Sequence, residues 1–269
     1  MTALAKSLAA FLDTAPTVAL VEVTEAKGST PREKGAWMLV SPDAILGTIG
    51  GGQLEFLAIA RARELIEKNI ATGALDIPLG PEIGQCCGGR VGLAIRIAEP
   101  EDRAELARRA EIEDAARPHV YLFGGGHVGR ALAAALALLP VRTVLLETRA
   151  DVLEGIPQEV ETRLTAVPEE AVREAPAGAA FIVLTHDHAL DFLIVSEALA
   201  REDAAYVGMI GSKTKKATFK SWYLKNGGDE RRLARLVTPI GGETVRDKRP
   251  AVIAAVAAAE VIAALTRAT

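Results

Sequence analysis

Two hydrophobic patterns divide this chain into an N-terminal part and a C-terminal part. In the first hundred residues, short apolar runs separated by glycine, proline and polar residues predict β-strands. These runs cover residues 17–23, 36–41, 44–48, 74–79 and 91–98. Residues 53–69 repeat apolar positions at helical spacing, so they predict a helix that follows three consecutive glycines. Together these elements are typical of a small α+β domain.

From residue 118 onward, strand and helix patterns alternate. The predicted strands are 119–123, 141–147, 161–165, 179–185 and 204–209, and the predicted helices are 128–139, 169–174, 190–200 and 213–225. Such alternation indicates a parallel sheet covered on both faces. The prediction is an α/β protein, with a small N-terminal α+β domain over 1–98 and a Rossmann-like doubly wound parallel-sheet domain over 118–269.

A charged segment separates the two predicted domains. Residues 99–117 begin with Pro100 and carry charges on all sides, which predicts an exposed connecting helix that ends before Pro118. Near the other end, residues 251–265 are apolar but interrupted by Glu260, and they are shorter than the roughly 20 residues of a spanning helix. We therefore expect a buried helix there.

Composition narrows the possible partners and the compartment. Apolar residues make up 49% and charged residues 25%, as in ordinary globular proteins. The formal charge is −4 and aromatic residues make up 4%, so neither a basic surface nor stacking platforms favour nucleic-acid binding. Two adjacent cysteines cannot form a disulfide framework. We expect a cytoplasmic protein with no nucleic-acid or membrane partner.

A glycine fingerprint follows the first strand of the predicted Rossmann-like domain. Its residues are Gly124, Gly126, His127 and Gly129, at the start of a predicted helix. Such a turn can hold a dinucleotide phosphate, and Glu147, at the end of the next strand, can bind a ribose hydroxyl. The alternative is that the glycines serve packing alone.

The two cysteines lie between turns in the N-terminal domain. The segment contains Cys86, Cys87, Gly88, Gly89 and Arg90. A thiolate is a soft metal ligand, the glycines permit close backbone approach, and the cation of Arg90 can lower a cysteine pKa. The alternative is a pair of small buried hydrophobic side chains. The spacing does not match a structural zinc site.

Two further glycine-rich turns are candidates for anion binding. The turn before the first predicted helix has successive N–H groups that can form an anion nest, over Gly50, Gly51, Gly52, Gln53 and Glu55. Residues 28–35 form a similar turn, where Arg32 is a candidate partner for a phosphate or carbonyl. Both turns also have a structural explanation, as bends that need positive φ.

Polar residues follow two other strands of the Rossmann-like domain. His186, Asp187, His188 and Asp191 lie where doubly wound sheets bind ligands, although Asp187 can instead cap the next helix. Residues 211–213 can hold an anion, whereas Lys213, Lys215 and Lys216 together are typical of a solvated helix face.

Six segments, taken in order, resemble the XdhC/CoxI family of xanthine dehydrogenase accessory proteins. They are GSTPREKGAWMLV, GTIGGGQLE, GQCCGGRV, LFGGGHVGRALA, THDHALD and YVGMIGSKTKKATF, between residues 28 and 219. The resemblance implies a dimeric cytoplasmic chaperone without turnover of its own. It would bind the molybdenum cofactor (molybdopterin), hold it while a cysteine desulfurase supplies sulfur, and deliver it to xanthine dehydrogenase. It also implies that Cys87, or the adjacent Cys86, contacts molybdenum.

Two other functions remain open from the residues themselves. The glycine fingerprint with Glu147 is compatible with an NAD(P)-dependent oxidoreductase, although no evident proton-transfer set accompanies it. The adjacent cysteines are also compatible with a persulfide carrier or redox switch.

Overall fold

The computed structural model describes residues 3–80, 88–242 and 245–267. The chain divides into two compact units, Met1–Ala115 and Ala116–Thr269. Each unit has its own sheet and its own core.

The first unit is built on a five-stranded antiparallel sheet. Its elements are α1 (Ala3–Thr14), β1 (Ala19–Lys27), β2 (Trp37–Val40), β3 (Ile45–Gly47), α2 (Gly52–Glu67), β4 (Thr72–Pro78), β5 (Arg90–Ile97) and α3 (Pro100–Ala115). The strand order is β3-β2-β1-β5-β4, so β1 is central, with Val21 opposite Met38 of β2 and Ile95 of β5.

Helices cover both faces of this sheet because its strands alternate apolar side chains between two cores. On one face Val21 and Val23 pack with the buried side of α2, including Leu54. On the other face Leu20 packs with Leu8 of α1 and with α3. The α+β character of the N-terminal part is confirmed.

Helix α3 differs from the exposed connecting helix predicted over residues 99–117. Leu106 and Ala110 are both buried, in the cluster that contains Leu8 and Leu20, and the helix belongs to the first unit. This apolar face is hard to recognise in the sequence because it consists of only two buried residues among many charged ones.

The second unit is a doubly wound parallel sheet, as predicted. Its elements are β6 (His119–Phe123), α4 (His127–Leu136), β7 (Arg142–Glu147), a 3₁₀ turn (Ala150–Leu153), β8 (Glu161–Leu164), α5 (Glu169–Glu174), β9 (Ala180–Val183), α6 (His188–Ala200), β10 (Tyr206–Met209), α7 (Lys213–Lys225), α8 (Glu230–Leu233), β11 (Leu236–Val237) and α9 (Pro250–Arg267). The strand order is β11-β10-β9-β6-β7-β8.

Two cores sandwich the parallel sheet. Helices α4 and α9 cover one face, where Leu132 and Val261 are fully buried beside Val120. Helices α5, α6 and α7 cover the other face, where Phe181 and Phe219 are fully buried. The strand order reverses direction between β6 and β9, which places the ligand-binding edge of such a sheet at the loops that follow these two strands.

Helix α9 is the one described helix that is long and apolar enough to cross a membrane by length and composition, and core helices of soluble proteins pass the same test. Its residues Ala254, Ala257 and Val261 are buried in the same core as α4. The prediction of a buried helix over 251–265 is therefore correct for one face of the helix only, since 28% of its residues are buried.

Candidate functional site

Three glycine-rich turns of the first unit meet at one place. A Cβ on Gly28 would lie 3.3 Å from the Cα of Gly89, and a Cβ on Gly50 would lie 2.5 Å from the side chain of Pro31. Gly28 and Gly50 both have positive φ. The turns at 28–35, 47–52 and 88–90 are therefore neighbours, which their sequence separation does not reveal.

The segment that follows the cysteines is held tightly in this cluster of turns. Gly88 donates its N–H to the carbonyl of Leu79, and Leu79 donates to the carbonyl of Gly89. Gly88 also forms a parallel bridge with Ser29, and a Cβ on Gly89 would lie only 2.3 Å from the carbonyl oxygen of Ser29. Only glycine fits at Gly89 without moving backbone. Cys86 and Cys87 lie outside the described residues.

The predicted anion nest at Gly50–Gly52 is already occupied by a side chain of the same unit. Glu55 accepts through one oxygen, Oε2, from the hydroxyl of Thr48 at 2.7 Å, from the N–H of Ile49 at 3.1 Å and from the N–H of Gly51 at 3.0 Å. The expectation of a nest free to bind an outside anion is corrected on this point. Gly52 and the neighbouring Gln53 are exposed at the start of α2.

Arg90 has an ion-pair partner within the first unit. Its guanidinium makes a two-pronged ion pair with Asp76 on the neighbouring strand, at 2.7 and 2.6 Å. The bond from Arg90 lowers the pKa of Asp76. Asp76 therefore shares the charge of Arg90, and whether Arg90 also acts on a cysteine stays a prediction, because Cys86 and Cys87 lie outside the described residues.

Arg32 is available to a ligand. Its side chain is exposed and has no ion-pair or hydrogen-bond partner within residues 3–80, 88–242 and 245–267. The other arginines of the first unit all bind an acceptor in that part of the chain, as Arg61, Arg96 and Arg103 do. Within the described residues, this cation without an ion-pair partner, close to the turn at 47–52, is the feature of the first unit that best suits an anion.

In the second unit, the glycine fingerprint lies at the ligand-binding edge, and two of its glycines have packing roles. A Cβ on Gly129 would lie 2.1 Å from the carbonyl oxygen of Gly124, and one on Gly124 would lie 2.5 Å from the carbonyl oxygen of Leu184. Gly126 differs, because its φ is −64° and a Cβ there would meet no described atom within 4 Å. His127 is exposed at the start of α4.

Glu147 serves the fingerprint turn from within the protein. Its carboxylate is buried, and it accepts the N–H of Gly125 at 2.9 Å, the N–H of Thr148 at 2.9 Å and two guanidinium bonds of Arg149, each 3.2 Å long. A ribose hydroxyl would have to displace these donors. The acceptor that the NAD(P) hypothesis requires is therefore already engaged.

These contacts explain the ionisation of Glu147 and give a test of its role. Burial alone would raise its pKa, but the bonds from Arg149, Gly125 and Thr148 outweigh burial and lower the pKa from 4.5 to about 2. We expect Glu147→Gln to reduce the free energy of unfolding by about 2 kcal/mol at pH 7, after allowing for the exposure of Arg149. Urea denaturation of both proteins measures this difference.

The pH dependence of that difference has a definite sign. A carboxylate with a depressed folded-state pKa stabilises the fold above its unfolded pKa and loses that contribution as the pH falls. The stability gap between the wild type and Glu147→Gln should therefore narrow between about pH 4.5 and pH 2. A gap that stays constant over this range would contradict the assignment.

The loop after β9 contains the predicted histidine and aspartate residues. Asp187 caps α6 by accepting the N–H of Ala189 at 2.8 Å, which supports the capping interpretation. His186 and His188 are exposed. Within the described part of the chain, no group of three or more His, Cys, Asp or Glu side chains could hold a metal ion.

A buried ion pair at this edge of the sheet was not predicted from the sequence. Asp191 is fully buried and accepts the N–H of Thr185 at 3.0 Å, its hydroxyl at 2.7 Å, and the ammonium of Lys215. The side chain of Lys215 is only 9% exposed, so the prediction of a solvated lysine face is wrong for this residue. The sequence signal for this pair was a single acidic residue, Asp191, among the apolar residues of α6.

These features define a class of protein. It combines an antiparallel sheet unit, in which a glycine-rich turn packs against Gly88 and Gly89, with a Rossmann-like unit in which Glu147 accepts an N–H of the fingerprint turn. The comparisons with known families identify this class.

Residues 12–75 match the XdhC and CoxI family, and residues 120–261 match the XdhC Rossmann domain. The chain belongs to the XdhC family. The cysteines at 86 and 87 fall between the two matched segments.

Two individual proteins are similar to this chain. The uncharacterized protein YqeB of Escherichia coli (strain K12) is 26% identical over 234 residues, which cover 83% of this chain but 39% of that protein. A solved structure described as a xanthine dehydrogenase from Bacillus halodurans has a TM-score of 0.79 at 16% identity, covering 99% of this chain and 96% of that one. The latter likeness shows a shared fold.

Proposed function

We propose that this protein is an accessory protein that binds the molybdenum cofactor, holds it while a cysteine desulfurase supplies the sulfur ligand, and delivers it to xanthine dehydrogenase. Family membership supports the accessory role. The observation that carries the cofactor assignment is the close approach of the turn at 28–35 to Gly88 and Gly89, which follow the cysteines in sequence; the turn at 47–52 packs against Pro31 of that same turn. It brings the chain that leaves Cys87 beside the turn that bears Arg32.

The chemistry of the cargo matches these residues. Molybdopterin combines a soft metal, which suits a thiolate, with a phosphate, which suits a guanidinium. In this proposal Cys87 or Cys86 contacts the molybdenum and Arg32 binds the phosphate. The glycine turns allow the backbone to approach the cargo closely. The N–H groups of Gly51 and Gly125 are not available to it, because they already donate to Glu55 and Glu147.

The same proposal includes the release of the cargo. A carrier needs a contact that forms and breaks readily, and one or two thiolates suit this better than a closed set of several strong ligands. We propose that the protein acts as a homodimer in the cytoplasm and meets both the desulfurase and the recipient apoenzyme.

The test is the molybdenum and pterin content of the protein purified from cells that make the cofactor. We expect the wild type to carry both, and Cys86→Ala/Cys87→Ala to lose most of the molybdenum. The single variants identify which cysteine makes the contact. Arg108→Gln, which changes a surface arginine paired with Glu105, is the control and should retain the cargo.

Undiminished molybdenum in the double cysteine variant would overturn the thiolate role. Absence of both molybdenum and pterin from the wild type would overturn the proposed function itself.

A further inference from the structure

The first unit contains a cleft beside the turn at 31–36. Its volume is about 590 Å³, and it lies next to the start of β2 and the end of β3. Side chains of contrasting chemistry line it, namely Arg32, Glu33, Lys34, Trp37, Thr48 and Glu113. We call it the Arg32 cleft.

Two cations of this cleft have no acceptor of their own. Arg32 and Lys34 are exposed, and neither side chain has an ion-pair or hydrogen-bond partner among the residues that the structure describes. Glu33 and Glu113 line the same cleft without forming an ion pair with either cation. Two cations within three residues, neither of them in an ion pair among the described residues, offer two charged donors to a phosphate monoester.

An aromatic side chain lines the same cleft. Trp37 begins β2 opposite Glu22 of β1, is half-buried and packs partly against the cluster that contains Leu8 and Leu39. An indole face held in this way can stack a planar heterocycle. The other tryptophan, Trp222, lies in the second unit against Phe192 and Phe219.

The carboxylates complete the recognition chemistry. A pterin ring has an amino group and a ring N–H on one edge, and these are donors that a carboxylate accepts in pairs. Glu33 and Glu113 supply carboxylates in the same cleft as Trp37. The cleft thus contains cations for a phosphate, an indole for a planar ring and carboxylates for the donors on the ring edge.

We propose that the Arg32 cleft binds the pterin phosphate portion of the cargo, with the phosphate on Arg32 and Lys34 and the ring against Trp37. The identity of the pterin rests on the proposed function, whereas the preference for a phosphorylated planar ring rests on the cleft itself.

The probe is the fluorescent pterin phosphate obtained by oxidising molybdopterin, together with the same pterin after removal of its phosphate. Binding to the full-length protein is measured by fluorescence anisotropy of the probe. Arg32→Gln should weaken binding of the phosphorylated probe on the order of tenfold or more, because it removes a charge-assisted contact. It should leave binding of the dephosphorylated probe unchanged.

The aromatic contact has its own pattern of effects. Trp37→Leu should weaken binding of both probes by a similar factor, and Trp37→Phe should restore most of it because an aromatic face is retained. Arg108→Gln removes an equal charge from an exposed pair in the same unit and should change neither affinity.

Equal effects of Arg32→Gln on both probes, or none on either, would overturn the assignment. If the wild type carries molybdenum and pterin but the cleft variants bind the probes normally, only the cleft assignment fails. If the wild type neither carries the cofactor nor binds a probe, the proposed function fails with it.

Discussion

Replacing Lys215 by methionine is expected to lower the free energy of unfolding by about 3–5 kcal/mol, because it leaves the carboxylate of Asp191 buried without a counter-ion. Asp191 is fully buried, and the side chain of Lys215 is 9% exposed, so solvent screens the pair little. The two bonds from Thr185 remain but do not neutralise the charge. Urea denaturation followed by circular dichroism measures the loss.

A second variant separates charge from packing. Lys215→Met combined with Asp191→Asn removes both charges while keeping an amide oxygen that can accept from Thr185, so it should recover most of the lost stability. Lys220→Met on the same helix α7 is the control, because Lys220 forms only an exposed pair with Glu230 and should change stability by less than about 0.5 kcal/mol. A double variant no more stable than Lys215→Met would contradict this account.

Gly89→Ala is expected to combine a stability loss of roughly 2–3 kcal/mol with loss of most of the molybdenum cofactor that we propose the protein carries. The new Cβ would lie 2.3 Å from the carbonyl oxygen of Ser29 and 2.8 Å from that of Lys27. Both obstacles are backbone atoms, so a side-chain rotation cannot relieve the clash. Gly89 would have to move away from Ser29, which belongs to the turn that carries Arg32.

Gly80→Ala provides the matched control in the same unit. Gly80 has no positive φ, and a Cβ there would meet no described atom within 4 Å. This variant should keep both stability and cofactor content. If Gly89→Ala folds with wild-type stability and retains its molybdenum and pterin, the close approach of these turns has no functional importance.

Much of the secondary structure was predictable because most elements bury a regular apolar pattern. Strand β6 and helices α5 and α7 have the predicted bounds, and α2 begins one residue before its predicted start and ends two residues before its predicted end. Strand β1 continues four residues beyond its predicted end, to Lys27, because Glu25–Lys27 pair with β5 beyond a bulge. Polar residues in a paired strand give no hydrophobic signal.

Two short elements and one helix face also gave no hydrophobic pattern in the sequence. Strand β11 has two residues and exists only as an edge strand beside β10, while α8 is a single turn. Neither is long enough to show a period. The narrow buried face of α3, at Leu106 and Ala110, was likewise hidden among charges.

The candidate site was predictable as a set of residue types, but its charge partners were not. Asp76 lies 14 residues from Arg90, and Lys215 lies 24 residues from Asp191, so each pair forms only when strands or helices come together. Glu55 and Glu147 each saturate N–H groups of a glycine-rich turn that, as sequence, is typical of anion binding. A glycine turn indicates available donors, and the fold determines whether they remain free.

The turn at 28–35 differs from the other two glycine-rich turns in this respect. The second unit and the α2 turn satisfy their glycine-rich backbones with internal carboxylates, whereas Arg32 has no acceptor in the described part of the chain. Within the described residues, the first unit therefore combines a cation that has no ion-pair partner with two closely held glycines, Gly88 and Gly89, that follow the cysteines in sequence.

The most direct test of the carrier function is transfer of the cargo. Protein isolated from cells that make the cofactor would be mixed with apo xanthine dehydrogenase from cells that cannot make it, and xanthine oxidation would be followed. The account predicts that the wild type restores activity, that molybdenum and pterin leave it together, and that Cys86→Ala/Cys87→Ala restores little. Apoenzyme that stays inactive with a cofactor-loaded wild type, while free cofactor activates it, would contradict the account.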